Sequence, residues 1–281
     1  MFNRKIRADN VNDALKNRFT THEVINQAPL LAPYDAYTTD TALREAVEHE
    51  GGAWADKELV TFGKVVGDEM MAQGFLANEN KPVFQPFDRF GHRIDEVEFH
   101  PAYHRLMMLG VQHGVANFSW RHADRTGAHV ARAALMYLHS QADQGTGCPL
   151  TMTHAAIPVL RQSTALAESW LPRILSTEYD PRHVPAWEKR ANTIGMGMTE
   201  KQGGSDVRAN TTRANPVGAS GPDQLYELVG HKWFLSAPMC DAFLVLGQAE
   251  HGLSCFLLPR FSPNGDRNAI RIERLKNKLG D

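Results

Sequence analysis

The spacing of apolar residues changes once along this chain, and that change limits the possible folds more than any other feature. Between residues 39 and 175 apolar side chains recur every three to four positions, the spacing of one helix face. Leu59, Phe62, Val66, Met70 and Met71 form the clearest run. Ala128 to Gln141 reads as a second, with Val130, Ala133, Ala134, Tyr137 and Leu138 on one face. Thr39-Asp40 marks a helix start, Pro101 opens another helix, and Pro149 to Leu160 reads as a buried helix rich in small residues. Lys81 to Arg93 breaks the pattern and predicts a loop or short hairpin.

Beyond Pro181 and Pro185 the helical period is gone. Short branched or alternating runs take over at 194–199, 207–213, 225–230, 231–236, 242–248, 253–258 and 270–273, separated by turn signals such as Ser262-Pro263-Asn264-Gly265-Asp266. The fold class this predicts is α+β in two domains. An all-α helical domain occupies 39–185, and an antiparallel β-barrel or sandwich occupies 186–281. Residues 1–38 form an N-terminal extension: a polar tail to about residue 20, then a strip that Pro29 and Pro33 keep extended along the surface.

Composition excludes several function classes. A formal charge of −2 gives no general attraction for nucleic acid. The cysteines, Cys148, Cys240 and Cys255, are too far apart for a metal motif and odd in number, which points to a reducing compartment. None of the 13 histidines falls in an H-E-x-x-H pattern, so no metal is expected. The basic cluster Arg121, His122, Arg125, His129 and Arg132 reads as a solvated helix face. No apolar run approaches a membrane span, and the N-terminus lacks the apolar stretch of a signal peptide, so a cytoplasmic location is expected. Ser205 has no adjacent histidine and no G-x-S-x-G elbow, which argues against a hydrolase.

The candidate site is the stretch Ile194 to Asp206, I-G-M-G-M-T-E-K-Q-G-G-S-D. It passes from a Gly-interrupted apolar run into a polar loop. Glycines let a backbone approach a ligand closely, and the hydroxyls beside them can hold a polar ring edge or a pyrophosphate. Twenty-six residues after Ser205 comes His231-Lys232-Trp233-Phe234-Leu235-Ser236, an aromatic pair followed by a hydroxyl. Together the two segments suit a planar cofactor with a phosphate tail, although neither common phosphate-loop motif is present.

These two segments resemble the flavin-contacting segments of acyl-CoA dehydrogenases. Cys148 to Thr153, Leu228 to Phe234, Gly252 to Phe256 and Glu273 to Gly280 extend the resemblance, which lies nearest the branch of the adaptive response to DNA alkylation. It implies FAD as cofactor, held by Met196, Gly197, Met198, Thr199, Glu200, Gly203, Gly204, Ser205, Phe234, Leu235 and Ser236. Thr199 would meet the pyrimidine side of the flavin, Ser205 the pyrophosphate or substrate tail, Phe234 the ring and Ser236 the region of N5. Lys201-Gln202 and Phe234 stand where many relatives have Pro and Trp, which puts the usual acyl-CoA pocket in question. The resemblance also implies a third, C-terminal helical domain, with the catalytic carboxylate, the contacts of a homotetramer and, in the alkylation branch, a DNA-binding surface. The chain ends before it, so no catalytic residue is assigned, and weak FAD binding without dehydrogenation is expected. Two activities follow from the resemblance: α,β-dehydrogenation of an acyl-CoA thioester, or DNA protection by an alkylation-response flavoprotein.

Overall fold

The structure, a computed structural model, describes residues 20–29 and 31–278. Residues 1–19, most of the expected polar tail, lie outside the described residues. The chain divides into two compact units, Met1–Leu31 and Ala32–Asp281. In the first, residues 20–29 carry neither helix nor strand and are exposed.

The second unit begins with helices that the expected caps start. Asp40 accepts a hydrogen bond from the Leu43 N–H at 2.9 Å and opens α1 (Thr41–His49). Next comes α2 (Asp56–Val65), which runs through a π-helical turn at Val66–Met70 into α3 (Met71–Glu79). A hairpin, β1 (Val83–Phe87) and β2 (Arg93–Glu98), stands where the sequence breaks its helical pattern. Pro101 sits in the first turn of α4 (Pro101–Gln112), followed by α5 (Phe118–Arg121), α6 (Ala128–Ala142), α7 (Gly147–Leu160) and α8 (Thr164–Ile174). Leu59, Phe62, Val66, Met70, Leu106, Leu135 and Leu138 form the fully buried centre. Each such side chain contributes about 1.5–3 kcal/mol.

Two expectations for this layer are corrected. The strip around Pro33 does not stay on the surface. Tyr34 N donates to Gly67 O and Ala36 N to Gly63 O, both at 3.1 Å, and Tyr37 is buried. Close backbone approach demands glycine here, since a Cβ on Gly67 would stand 2.0 Å from Tyr34 O. Gly67→Ala is therefore expected to cost about 1–3 kcal/mol, read as a lowered melting temperature. On α6 the buried face is Ala131, Ala134, Leu135, Leu138 and His139, and Tyr137 is 52% exposed. His139 hid the true stripe from the sequence: it is a buried polar residue, with Nε2 3.2 Å from Thr146 Oγ1.

After α8 the chain builds one sheet from β3 (Ile194–Gly197), β4 (Arg213–Pro216), β5 (Tyr226–Val229), β6 (Ala242–Ala249) and β7 (Gly252–Pro259). A helical layer followed by a sheet matches the expected fold class, but the sheet is mixed rather than wholly antiparallel. Strand β6 runs antiparallel to β7 and parallel to β3, meets β4 in parallel at Arg213–Gln248, and β4 pairs antiparallel with β5. Three expected strands are absent: 207–213 opens with a 3-10 turn at Val207–Ala209, and 231–236 and 270–273 are irregular. Phe234 at φ 58° breaks the extended path of the 231–236 segment, and Ala237 at φ 51° follows directly after it.

Helices and sheet share a core of Ile157, Leu160 and Ile174 with Ile194, Ala242 and Leu244. Thr153 on α7 pins β3 directly, its Oγ1 accepting the Ile194 N–H at 3.0 Å.

Candidate functional site

The segments leaving β3 and β5 lie side by side. Thr199 O accepts the Trp233 N–H at 2.9 Å, and the Thr199 hydroxyl donates to Trp233 O. Close packing favours glycine at two points of β3. A Cβ on Gly197 would lie 3.2 Å from Leu235 Cδ1, and one on Gly195 would lie 2.5 Å from the Phe243 ring. Thr199, Phe234 and Ser236 are thus brought onto adjacent strips, with Phe234 held outward, 55% exposed. A bulky side chain with positive φ is a strained arrangement, and such strain gathers at functional sites. Thr199 and Ser236 are half-buried on this surface. Ser205 is exposed on the loop beyond it. That loop folds back through a Glu200–Gly203 bridge, which puts Gly204 against Thr199.

Glu200 has a different place from the one expected. It is only 2% exposed, and its carboxylate accepts from Thr211 N at 2.7 Å, Thr212 N at 2.9 Å, both threonine hydroxyls and Lys232 Nζ at 3.1 Å. Burial alone would raise its pKa. The hydrogen bonds from Thr211, Thr212 and Lys232 outweigh that and hold the carboxyl well below the usual range. Glu200 therefore fixes the loop instead of facing a ligand. Met196 and Met198 are half-buried against the helix–sheet core, and Leu235 packs with Cys240 and Phe243. Among the remaining side chains of the eleven sequence candidates, Thr199 and Ser236 are half-buried, and Ser205 and Phe234 are exposed.

The sequence pointed to Trp233 only as half of an aromatic pair, and it missed its cationic neighbours. Lys201 Nζ and Arg274 Cζ lie 5.6 and 5.5 Å from the Trp233 ring centroid, and Lys276 Nζ lies 4.3 Å from that of Phe234. Sequence separations of up to 42 residues (276 − 234) conceal such contacts. Asn210 was missed as well; its side chain donates to Met198 O at 2.8 Å.

A cavity of about 30 Å³ lies between helices and sheet, lined by His104, Tyr179, Lys189, Thr193 and Cys240 among others; none of the sequence candidates reaches it. Burial pushes the Cys240 thiol up to about 12, which fits an inert cysteine. Among the described residues no group of three or more His, Cys, Asp or Glu could hold a metal ion. No described helix is long and apolar enough to cross a membrane. The basic cluster on α5 and α6 is packed rather than simply solvated: Arg125 stacks on Trp54, and Arg132 Nε donates to Val115 O at 2.9 Å.

Residues 26–181 match the adaptive response protein AidB N-terminal domain, and residues 195–281 match the acyl-CoA dehydrogenase middle domain. AidB of Escherichia coli (strain K12) is 49% identical over 263 residues, 93% of this chain and 48% of AidB. The chain thus spans about half the length of the curated relatives it matches. Two solved structures share its course. Bd2924 in its apo form is 29% identical with a TM-score of 0.80, covering 92% of this chain and 52% of that one. Caenorhabditis elegans ACDH-11, solved in complex with C11-CoA, is 26% identical with a TM-score of 0.75, covering 94% and 46%. An AidB N-terminal helical domain followed by an acyl-CoA dehydrogenase middle domain places this chain in the acyl-CoA dehydrogenase family, in its AidB branch.

Proposed function

We propose that the face bordered by residues 194–205 and 231–236 is the protein's contribution to an FAD site. The observation that carries this reading is Phe234, an exposed aromatic ring held at φ 58° next to Trp233, whose backbone pairs with Thr199. The residues suit the group: an apolar ring face, flanking hydroxyls, and a glycine-bearing loop at Gly203-Gly204-Ser205 for the polar tail. Phe234 would carry the ring, Thr199 and Ser236 its polar edges, and Ser205 the pyrophosphate. When bound, FAD supplies the hydride acceptor for α,β-dehydrogenation of an acyl-CoA thioester. The acyl-CoA class is supported by the likeness to ACDH-11, solved with C11-CoA.

The contribution of these residues is binding and orientation rather than proton transfer. Glu200 is committed inward, and Asp206 pairs with Arg208 at 3.1 Å. The base that removes the α-proton, and a homotetramer in the cytoplasm, belong to this proposal as properties of the family's longer chains. The match to the AidB N-terminal domain favours a second reading, an alkylation-response flavoprotein that protects DNA through a further domain.

Titrating residues 1–281 with FAD while following flavin fluorescence tests the site. Weak, saturable binding is expected, and Phe234→Ala should weaken it roughly 3- to 10-fold through lost ring contact. Equal affinity of the two proteins would remove Phe234 from the site.

A further inference from the structure

We propose that residues 267–278 form a strap across the Trp233–Phe234 face, anchored on the β1–β2 hairpin, which a planar ligand must displace. This rests on the flavin reading and adds a control element to the same site. The strap is tied at one end and laid over the rings at the other. At the tied end Arg267 donates to Ile94 O and pairs with Glu96. Ile272 N donates to Asp95 Oδ1 at 3.3 Å, and Arg93 Nη2 donates to Ile272 O at 3.2 Å. Asn268 adds a bond to Pro259 O at 3.1 Å, at the end of β7.

Residues 271–278 then run with neither helix nor strand, and it is side chains that contact the rings. Arg274 lies over Trp233, and Lys276 lies 4.3 Å from the Phe234 centroid. A cation at that height occupies the ring face on which a flavin would stack. Trp233 is close to the same ring, 5.5 Å away at 64°, so Phe234 is contacted by both neighbours. Cation–ring contacts at exposed positions are weak enough to open thermally, which suits a closure that yields to ligand.

Two variants and two readouts test this on residues 1–281. Arg274→Ala/Lys276→Ala removes the contacts on the rings. Arg267→Gln loosens the hairpin anchor and leaves both cations in place. Each is expected to tighten FAD binding, the double variant roughly 5- to 30-fold. Unchanged or weaker binding in both would overturn the strap, and weakening confined to the double variant would make Arg274 and Lys276 ligand contacts instead. The ligand-free arm follows tryptic cleavage after Arg274 and acrylamide quenching of Trp233, scored against Trp233→Phe. Faster cleavage and stronger quenching in Arg267→Gln are expected. If no protein binds FAD, the flavin reading fails by itself, and unchanged cleavage and quenching would overturn the strap independently.

Discussion

Glu200→Gln is expected to cost about 3–5 kcal/mol of stability, because it breaks a buried pair and leaves Lys232 as a nearly buried cation without its partner. The carboxylate collects two backbone N–H groups and two hydroxyls from Thr211 and Thr212 besides the Lys232 ammonium. A carboxamide of the same shape presents one acceptor and one donor to a set made almost wholly of donors. Adding Lys232→Met should return part of the loss, since an unpaired charge costs more than an absent pair. The pH dependence has a definite sign. A carboxyl held below its unfolded value stabilises above the unfolded pKa, about 4.3, and that contribution fades as pH falls toward the folded value. Urea midpoints of wild type and Glu200→Gln should therefore lie far apart at pH 7 and converge below about pH 4.3. A constant gap would show that shape, not charge, fixes the loop. Any loss of FAD binding in this variant should accompany the loss of stability, as befits a residue that positions the loop.

The two-layer architecture was legible because the spacing of apolar residues changes once, near Pro181 and Pro185. Helical spacing runs from Leu59 to Ile174 with a break at the β1–β2 hairpin, and turn-bounded strands follow Pro185. Strand direction was not legible. Ile194–Gly197 joins Ala242–Val245 in parallel, across 44 intervening residues (242 − 197 − 1), and an alternating pattern is the same in either direction. The 231–236 segment has strand composition, yet Phe234 takes positive φ within it and Ala237 just after it. The site was legible as two segments and less so as side chains. Glycine, hydroxyl and aromatic residues mark a ligand face, but a sequence does not say which way a glutamate points. The hint for Glu200 was present in Thr211-Thr212: a buried carboxylate needs donors, and adjacent threonines supply four.

Lys189→Met should be comparably destabilising, about 3–5 kcal/mol at pH 7.5, for a reason located at the joint between helices and sheet. Lys189 Nζ lies 2.6 Å from Asp241 Oδ1, and both side chains are buried. Asp241 Oδ2 also accepts the Thr193 N–H at 2.8 Å, and Asp241 N donates back to Thr193 O, so the pair holds the entry to β3 beside the start of β6. Burial already pushes the Asp241 carboxyl up against the pull of Lys189. Without the ammonium it rises further, and a carboxyl raised above its unfolded value of about 3.9 loses stability as pH increases. The penalty should thus be largest at pH 7.5 and shrink toward pH 4, opposite in origin to Glu200 although both gaps narrow in acid. Lys189→Met/Asp241→Leu should recover most of the loss, because two apolar groups of similar volume replace a buried pair at little cost. It should not recover all of it, since Thr193 N–H loses its acceptor and a buried unpaired amide costs about 1–3 kcal/mol. Hydrogen exchange at Thr193 to Gly197 measured beside the melts separates the two terms. Full recovery of stability with slow Thr193 exchange would show that another acceptor has replaced Asp241 at the start of the strand that carries the site.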